Sequence, residues 1–237
     1  MNTEKLSERL TAVAEYIPSG SRIADIGSDH AYLPCYAVKT GAVSFAVAGE
    51  VAKGPYLSAA SQVKKEGLTK KIDVRKGDGL EVVTPGEVDC ITIAGMGGAL
   101  IASILENGKD KLGEVKRLIL QPNVGAFAVR EWLIRNKWEL ISERILKEDG
   151  KIYEILAAER GEPLRPYTEE NFTAEKFFGP FLLKECNESF REKWNAELLN
   201  WERILEQLKE AGHSEGTENK KQEIQAKILM TEEALSQ

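Results

Sequence analysis

The sequence contains no apolar run long enough to span a bilayer. Its longest uncharged stretch, Cys90 to Leu105, is broken by Gly95, Gly97 and Gly98, and a spanning helix needs roughly 20 apolar residues. No cationic segment followed by an apolar run opens the chain, because "MNTEKLSERL" is charged throughout and reads as an amphipathic helix. Cysteine is scarce: Cys35, Cys90 and Cys186 are odd in number and lack metal-ligand spacing. We therefore expect neither a disulfide nor a metal site, and a reducing, cytoplasmic compartment. Positive charge is also short. The formal net charge of -6 argues against a protein that grips nucleic acid by bulk charge. That deficit is local, however: residues 161–237 carry 10 Lys+Arg against 16 Asp+Glu, and residues 1–160 balance at 22 of each. Within the balanced part, Lys64, Lys65, Lys70, Lys71, Arg75 and Lys76 cluster, and Lys116, Arg117, Arg130, Arg135 and Lys137 add further cations. Each one alone reads as a solvated face; together they are candidates for a phosphate track.

What is present is alternation. Short Val/Ile-rich runs, "RIADIG", "FAVAGEV", "IDVRKGD", "VDCITIAG" and "RLILQPN", are separated by stretches of helical spacing, which describes a parallel sheet with helices on both faces. Then "WELISERIL" and "IYEILAAER" alternate around a turn containing Asp149-Gly150, so an antiparallel hairpin closes the sheet. The polar "RGEPLRPYTEEN" reads as a linker. Beyond it Phe190, Trp194, Leu198, Trp201, Leu205 and Leu208 form one apolar stripe, with Gly212 and Gly216 as stop signals. Ile224, Ile228 and Leu235 mark a second, shorter helix, giving a coiled-coil-like antiparallel helical hairpin. The expected division is a Rossmann-like α/β domain over 1–160 and a helical one over 161–237.

In open parallel sheets, ligands bind outside the carboxyl ends of the strands. After the first strand stands "ADIGSDHAYLP", where a dinucleotide-binding turn would show three glycines that bare the backbone to a pyrophosphate. Only Gly27 is there. Asp25 and Asp29 suit instead a cofactor with an ammonium and a sulfonium and no phosphate. Glu50, at the end of the second strand, is spaced to take ribose hydroxyls. Asp78, in "GDGL", can accept from an adenine amino group. Either acid alone is also an ordinary loop residue.

This constellation resembles the class I S-adenosylmethionine-dependent methyltransferases. "LSERL", "DIGSDHAYLP", "AGEV", "GDGL", "IAGMGG", "LILQPN" and the helical tail together look like the bacterial tRNA (adenine(22)-N(1))-methyltransferases. The resemblance implies methyl transfer to ring nitrogen 1 of adenine 22 in tRNA. It places Gly27, Ser28 and His30 in the cofactor loop, Glu50 and Val51 at the ribose, Asp78 and Gly79 at the adenine, and Gly95 and Met96 at the methyl group. Amino-directed methyltransferases commonly carry an Asp/Asn-Pro-Pro-Tyr/Phe sequence where this chain has "AGMGG". A ring nitrogen already has an in-plane lone pair and needs alignment more than a strong base.

Asp29 is the candidate catalytic carboxylate; the competing reading makes it the cap of the following helix. His30 orients Asp29, touches the ligand, or is structural. Arg9 contacts substrate phosphate or is a surface arginine, and Asn123 reads an adenine edge or shapes its loop beside Pro122. Three rival functions remain at this level: a methyltransferase for a small molecule or protein with the tail used for dimerisation, a nicotinamide oxidoreductase, and a non-catalytic RNA binder.

Overall fold

The computed structural model describes residues 2–210 and 215–236. Seven strands form one sheet in the order β3-β2-β1-β4-β5-β7-β6. The first five are parallel: β1 (Ser21–Ile26), β2 (Val43–Glu50), β3 (Ile72–Lys76), β4 (Cys90–Gly97) and β5 (Arg117–Val124). Strands β6 (Trp138–Glu148) and β7 (Lys151–Arg160) form the closing hairpin, with β7 antiparallel to both β5 and β6. Asp149 (φ 49) and Gly150 (φ 75) both take left-handed backbone between Glu148 and Lys151, the geometry of a two-residue hairpin turn that matches strand twist.

Helices α1 (Glu8–Glu15), α2 (Tyr32–Lys39) and α3 (Lys53–Lys65) cover one face; α4 (Gly98–Asn107) and α5 (Ala126–Arg135) cover the other. Successive β4 residues show the division, since Cys90 packs with the first set and Ile91 with the second. Strand order reverses between β1 and β4, whose carboxyl ends therefore splay apart and leave a crevice.

Helix α1 lies against that crevice because both its ends are fixed. Ser7 Oγ accepts from the Leu10 N–H, and the Glu148 carboxylate at the hairpin tip accepts from the N–H groups of Glu8 (2.5 Å) and Arg9 (3.3 Å). At the other end Arg117 donates to the Tyr16 carbonyl, and the Tyr16 and Ser142 hydroxyls pair at 3.0 Å.

Beyond Arg160 the linker stretch 161–171 forms no helix, and after it come α6 (Phe172–Phe178) and α7 (Pro180–Glu185), two short helices for which the sequence pattern gave no expectation, then the long α8 (Glu188–Glu210) and α9 (Glu215–Leu235). Ile145 of β6 joins Phe178, Leu182, Phe190 and Trp194 in one buried cluster, so the helical part is packed onto the sheet edge. Arg191 at the start of α8 donates to the Leu235 carbonyl at the end of α9, which makes the pair antiparallel. Helix α9 is nearly as long as α8. Gly216 lies in its first turn and stops nothing, because first-turn N–H groups have no intrahelical acceptor and a glycine there breaks no hydrogen bond. Gly212 lies outside the described residues.

The proposed phosphate track is not one surface at the crevice. Parallel strands run toward the crevice and their helices run away from it, so Lys64, Lys65, Lys70, Lys71, Lys116, Arg135 and Lys137 fall at the opposite end of the sheet. Only Lys76 ends a strand on the crevice side. Arg75 binds Glu87, Asp73 and the Val82 carbonyl, Arg117 binds Glu159, and Arg130 is fully buried. These three serve the fold.

Candidate active site

The β1 exit is stitched to its neighbours by neutral donors. Asp25, 4% exposed, accepts from Thr92 Oγ1 of β4 through one oxygen and from Ser28 Oγ through the other, both at 2.6 Å. Burial raises its pKa, opposed by those two hydroxyls and by the field of Arg9. Gly27 (φ 72) and Ser28 donate their N–H groups to the Gly49 carbonyl at the end of β2. The left-handed backbone at Gly27 favours glycine, and the flexible end of Met96 sits 2.2 Å from where a Cβ would be.

Three successive non-glycine residues then take left-handed backbone: Asp29 (φ 32), His30 (φ 63) and Ala31 (φ 54). Such a run costs about 1–2 kcal/mol per residue, and stored strain of this kind gathers at functional sites. The loop is held by the Asp29 N–H, which donates to Glu50 Oε1 at 2.5 Å. Glu50 is 6% exposed, and burial raises its pKa while the Asp29 N–H opposes the rise. The Asp29 side chain points out of this support, 75% exposed. It does not cap α2, whose N-cap is Ala31 with no side-chain bond, so the capping alternative is set aside. His30 stacks on Tyr32 with centroids 5.4 Å apart, and its Nε2 lies 3.6 Å from Asp29 Oδ1.

Opposite stands a network that sequence reasoning found only in part. Gln121, fully buried, accepts from Arg9 (2.5 Å) and from the Gly95 N–H (2.9 Å); Asn123 donates to the Gly95 carbonyl (2.8 Å). Strand β5 continues through Pro122 to Val124 instead of turning there. A proline gives the ladder no donor, and β4 answers with an irregular register at Gly95 (φ 81).

Together these groups line a cleft of about 290 Å³: Arg9, Asp25, Gly27, Ser28, Asp29, Gly95, Met96 and Asn123 all border it, joined by Tyr153, whose ring lies 5.3 Å from the Arg9 guanidinium carbon. Glu50 and His30 stand behind and beside the Asp29 loop, and Val51 is 61% exposed at the end of β2. Asp78 and Gly79 instead border a neighbouring hollow against Ile104, and Asp78 donates its N–H to Glu81. Thr92, Gln121 and Tyr153 were missed. Thr92 and Gln121 were visible as lone polar residues in apolar strands; Tyr153 needed the hairpin register. Among the described residues no group of three His, Cys, Asp or Glu side chains gathers at metal-binding geometry, and no helix is long and apolar enough to cross a membrane.

Residues 23–233 match the family model described as tRNA (adenine(22)-N(1))-methyltransferase. A Bacillus subtilis (strain 168) protein of that name is 53% identical over 235 residues, 99% of each chain. The crystal structure of the B. subtilis m1A22 tRNA methyltransferase superposes with a TM-score of 0.94 at 52% identity, covering 98% of this chain and 99% of that one. A Streptococcus pneumoniae protein described as a candidate tRNA (m1A22) methyltransferase, solved in complex with S-adenosyl-L-methionine, gives a TM-score of 0.86 at 41% identity over 98% of this chain and 100% of its own.

Proposed function

The chain belongs to the tRNA (adenine(22)-N(1))-methyltransferase family, and from that premise we propose that its cleft binds S-adenosylmethionine and directs the methyl group to nitrogen 1 of adenine 22 of tRNA. The residues present fit that cofactor. Asp25 and Glu50 are buried carboxylates hydrogen-bonded to neutral groups only, a setting that a cationic ligand and ribose hydroxyls complete. Gly27 takes the left-handed backbone that turns the chain sharply at the end of β1, and it borders the cleft.

When bound, the cofactor supplies an electrophilic methyl carried on a sulfonium. Asp25 with the Gly27–Ser28 backbone would hold its amino-acid end, Glu50 beside Val51 the ribose, Asp78 with Gly79 the adenine, and Gly95 with Met96 the methyl side. The substrate adenine attacks with its in-plane lone pair, so the protein supplies alignment. As the new N–C bond forms and the C–S bond breaks, the ring becomes cationic until its amino group releases a proton. Asp29 stabilises that charge and receives the proton; His30 keeps it aimed, and Arg9 and Asn123 meet the substrate from the opposite wall. We assign 1–160 to catalysis and 161–237 to tRNA contact, and place the enzyme in the cytoplasm with its substrate.

The observation that carries this reading is Asp29 itself: a carboxylate exposed at the cleft, on a strained loop, bonded to no helix. The test is incubation with labelled S-adenosylmethionine and unmodified tRNA, then digestion to nucleosides. We expect 1-methyladenosine at position 22, and in Asp29→Asn a kcat lower by about 100-fold or more with cofactor Kd within a few-fold. Label elsewhere defeats the substrate assignment, and near-normal turnover in the variant defeats the carboxylate's role.

A further inference from the structure

A second hollow opens beside the cleft. It is a groove of about 350 Å³ between residues 122–127 and α8, and it shares Asn123 with the cleft. Val124, 71% exposed, stands at the groove next to that shared residue. The walls are aromatic: Phe127, Phe177, Trp194 and Trp201 line it. Phe177 anchors the set, with ring centroids 6.1 Å from Phe127, 5.3 Å from Trp194 and 6.2 Å from Trp201. Trp194 has a buried indole N–H with no acceptor among the described residues.

The polar lining narrows the ligand. Lys193 lies 4.6 Å over the Trp194 ring and is paired with Glu154, and Glu197 adds a second carboxylate. A phosphate would meet two acids and one committed cation there. A flat heteroaromatic ring fits better, stacking on the half-buried rings of Phe127, Phe177 and Trp201 while its edge offers amino donors to Glu197.

We infer that this groove holds an unstacked nucleobase of the tRNA, the immediate neighbour of the adenine that enters the cleft. The inference rests on tRNA being the substrate. Extruding the target base breaks its stacking with that neighbour, and a contiguous aromatic groove returns a stacking partner within one nucleotide's reach. Because Trp194 and Trp201 belong to α8, the helical part then contributes a wall of the substrate site as well as a distant grip.

The experiment uses the full-length enzyme and three substrates: unmodified tRNA, and the same tRNA made abasic at the nucleotide 5′ or 3′ of adenine 22. One abasic tRNA should raise the wild-type KM by about 5- to 100-fold, and Trp201→Ala should raise the KM of intact tRNA similarly. Combining the two should add little beyond either alone, and Trp201→Phe should restore most of the loss, with cofactor Kd unchanged throughout. Two abasic tRNAs that behave like intact tRNA, or fully additive losses, overturn the inference. So does a Trp201→Ala sedimentation coefficient lower than wild type, which would make the occupant a second copy of this chain. Should Trp201→Ala fail to fold, the abasic arm on wild type decides alone. Failure of the underlying function looks different: wild type then leaves intact tRNA unmethylated at position 22.

Discussion

Glu143 and Glu154, buried beneath the hairpin, and Asp25 and Glu50, buried at the ends of β1 and β2, are the same chemistry in two settings. The first pair surrounds Arg130, which donates to Glu143 at 2.7 Å, to Glu154 at 2.6 Å and to the Phe177 carbonyl at 3.0 Å; Lys193 adds a second cation. Burial pushes Glu154 up, yet Lys193 and Arg130 outweigh it and hold that carboxyl below its ordinary value, whereas burial prevails at Glu143. The second pair forms no ion pair with any lysine or arginine among the described residues, and burial leaves both acids raised. Compensated acids act as a clamp joining α5, the hairpin and α6. Acids left with neutral donors have no lysine or arginine bonded to them among the described residues.

Removing the clamp's cation should have the largest effect. Arg130→Met strands a carboxylate in the interior and should cost about 3–5 kcal/mol of stability in urea unfolding, and adding Glu143→Leu should recover much of it. Equal stability for Arg130→Met and wild type would break the contrast.

At the cleft the same kind of change should act on binding instead. Asp25→Asn should weaken S-adenosylmethionine by about 10- to 100-fold in calorimetry without lowering the melting temperature, since the Ser28 and Thr92 hydroxyls can each donate or accept. A large loss of stability with intact affinity would make Asp25 a second clamp.

The smallest effect is a pH dependence. Raised carboxyls keep their protons to higher pH than free side chains do, and a cationic ligand needs them ionised. Cofactor affinity should therefore fall on acidification starting above the usual carboxylate range near about 4, with proton release on binding. Unliganded stability runs the other way, greatest below the unfolded values and declining as pH rises through the raised ones. Affinity flat across that range would show the acids already charged.

The parallel strands and the hairpin were legible because each was bounded by local signals, period-two alternation and Asp149-Gly150 above all. Asp25, Gly27, Asp29 and Met96 were legible as one site because topology alone brings the ends of β1 and β4 together. The cationic track was not, since a count of lysines ignores which end of a βαβ unit each occupies. Tyr153 reaches the cleft through the long-range register of the hairpin, which no window of sequence contains. Helices α6 and α7 escaped notice because packing against Ile145 and the Arg130 clamp, more than their own periodicity, holds them.

Glu148 fastens the start of α1 from a position 140 residues downstream. The tip of the last hairpin and the first helix thus meet at one carboxylate, so residues far apart in the chain share a single fastening, while Leu6, Val13 and Ile17 bed the same helix on the sheet.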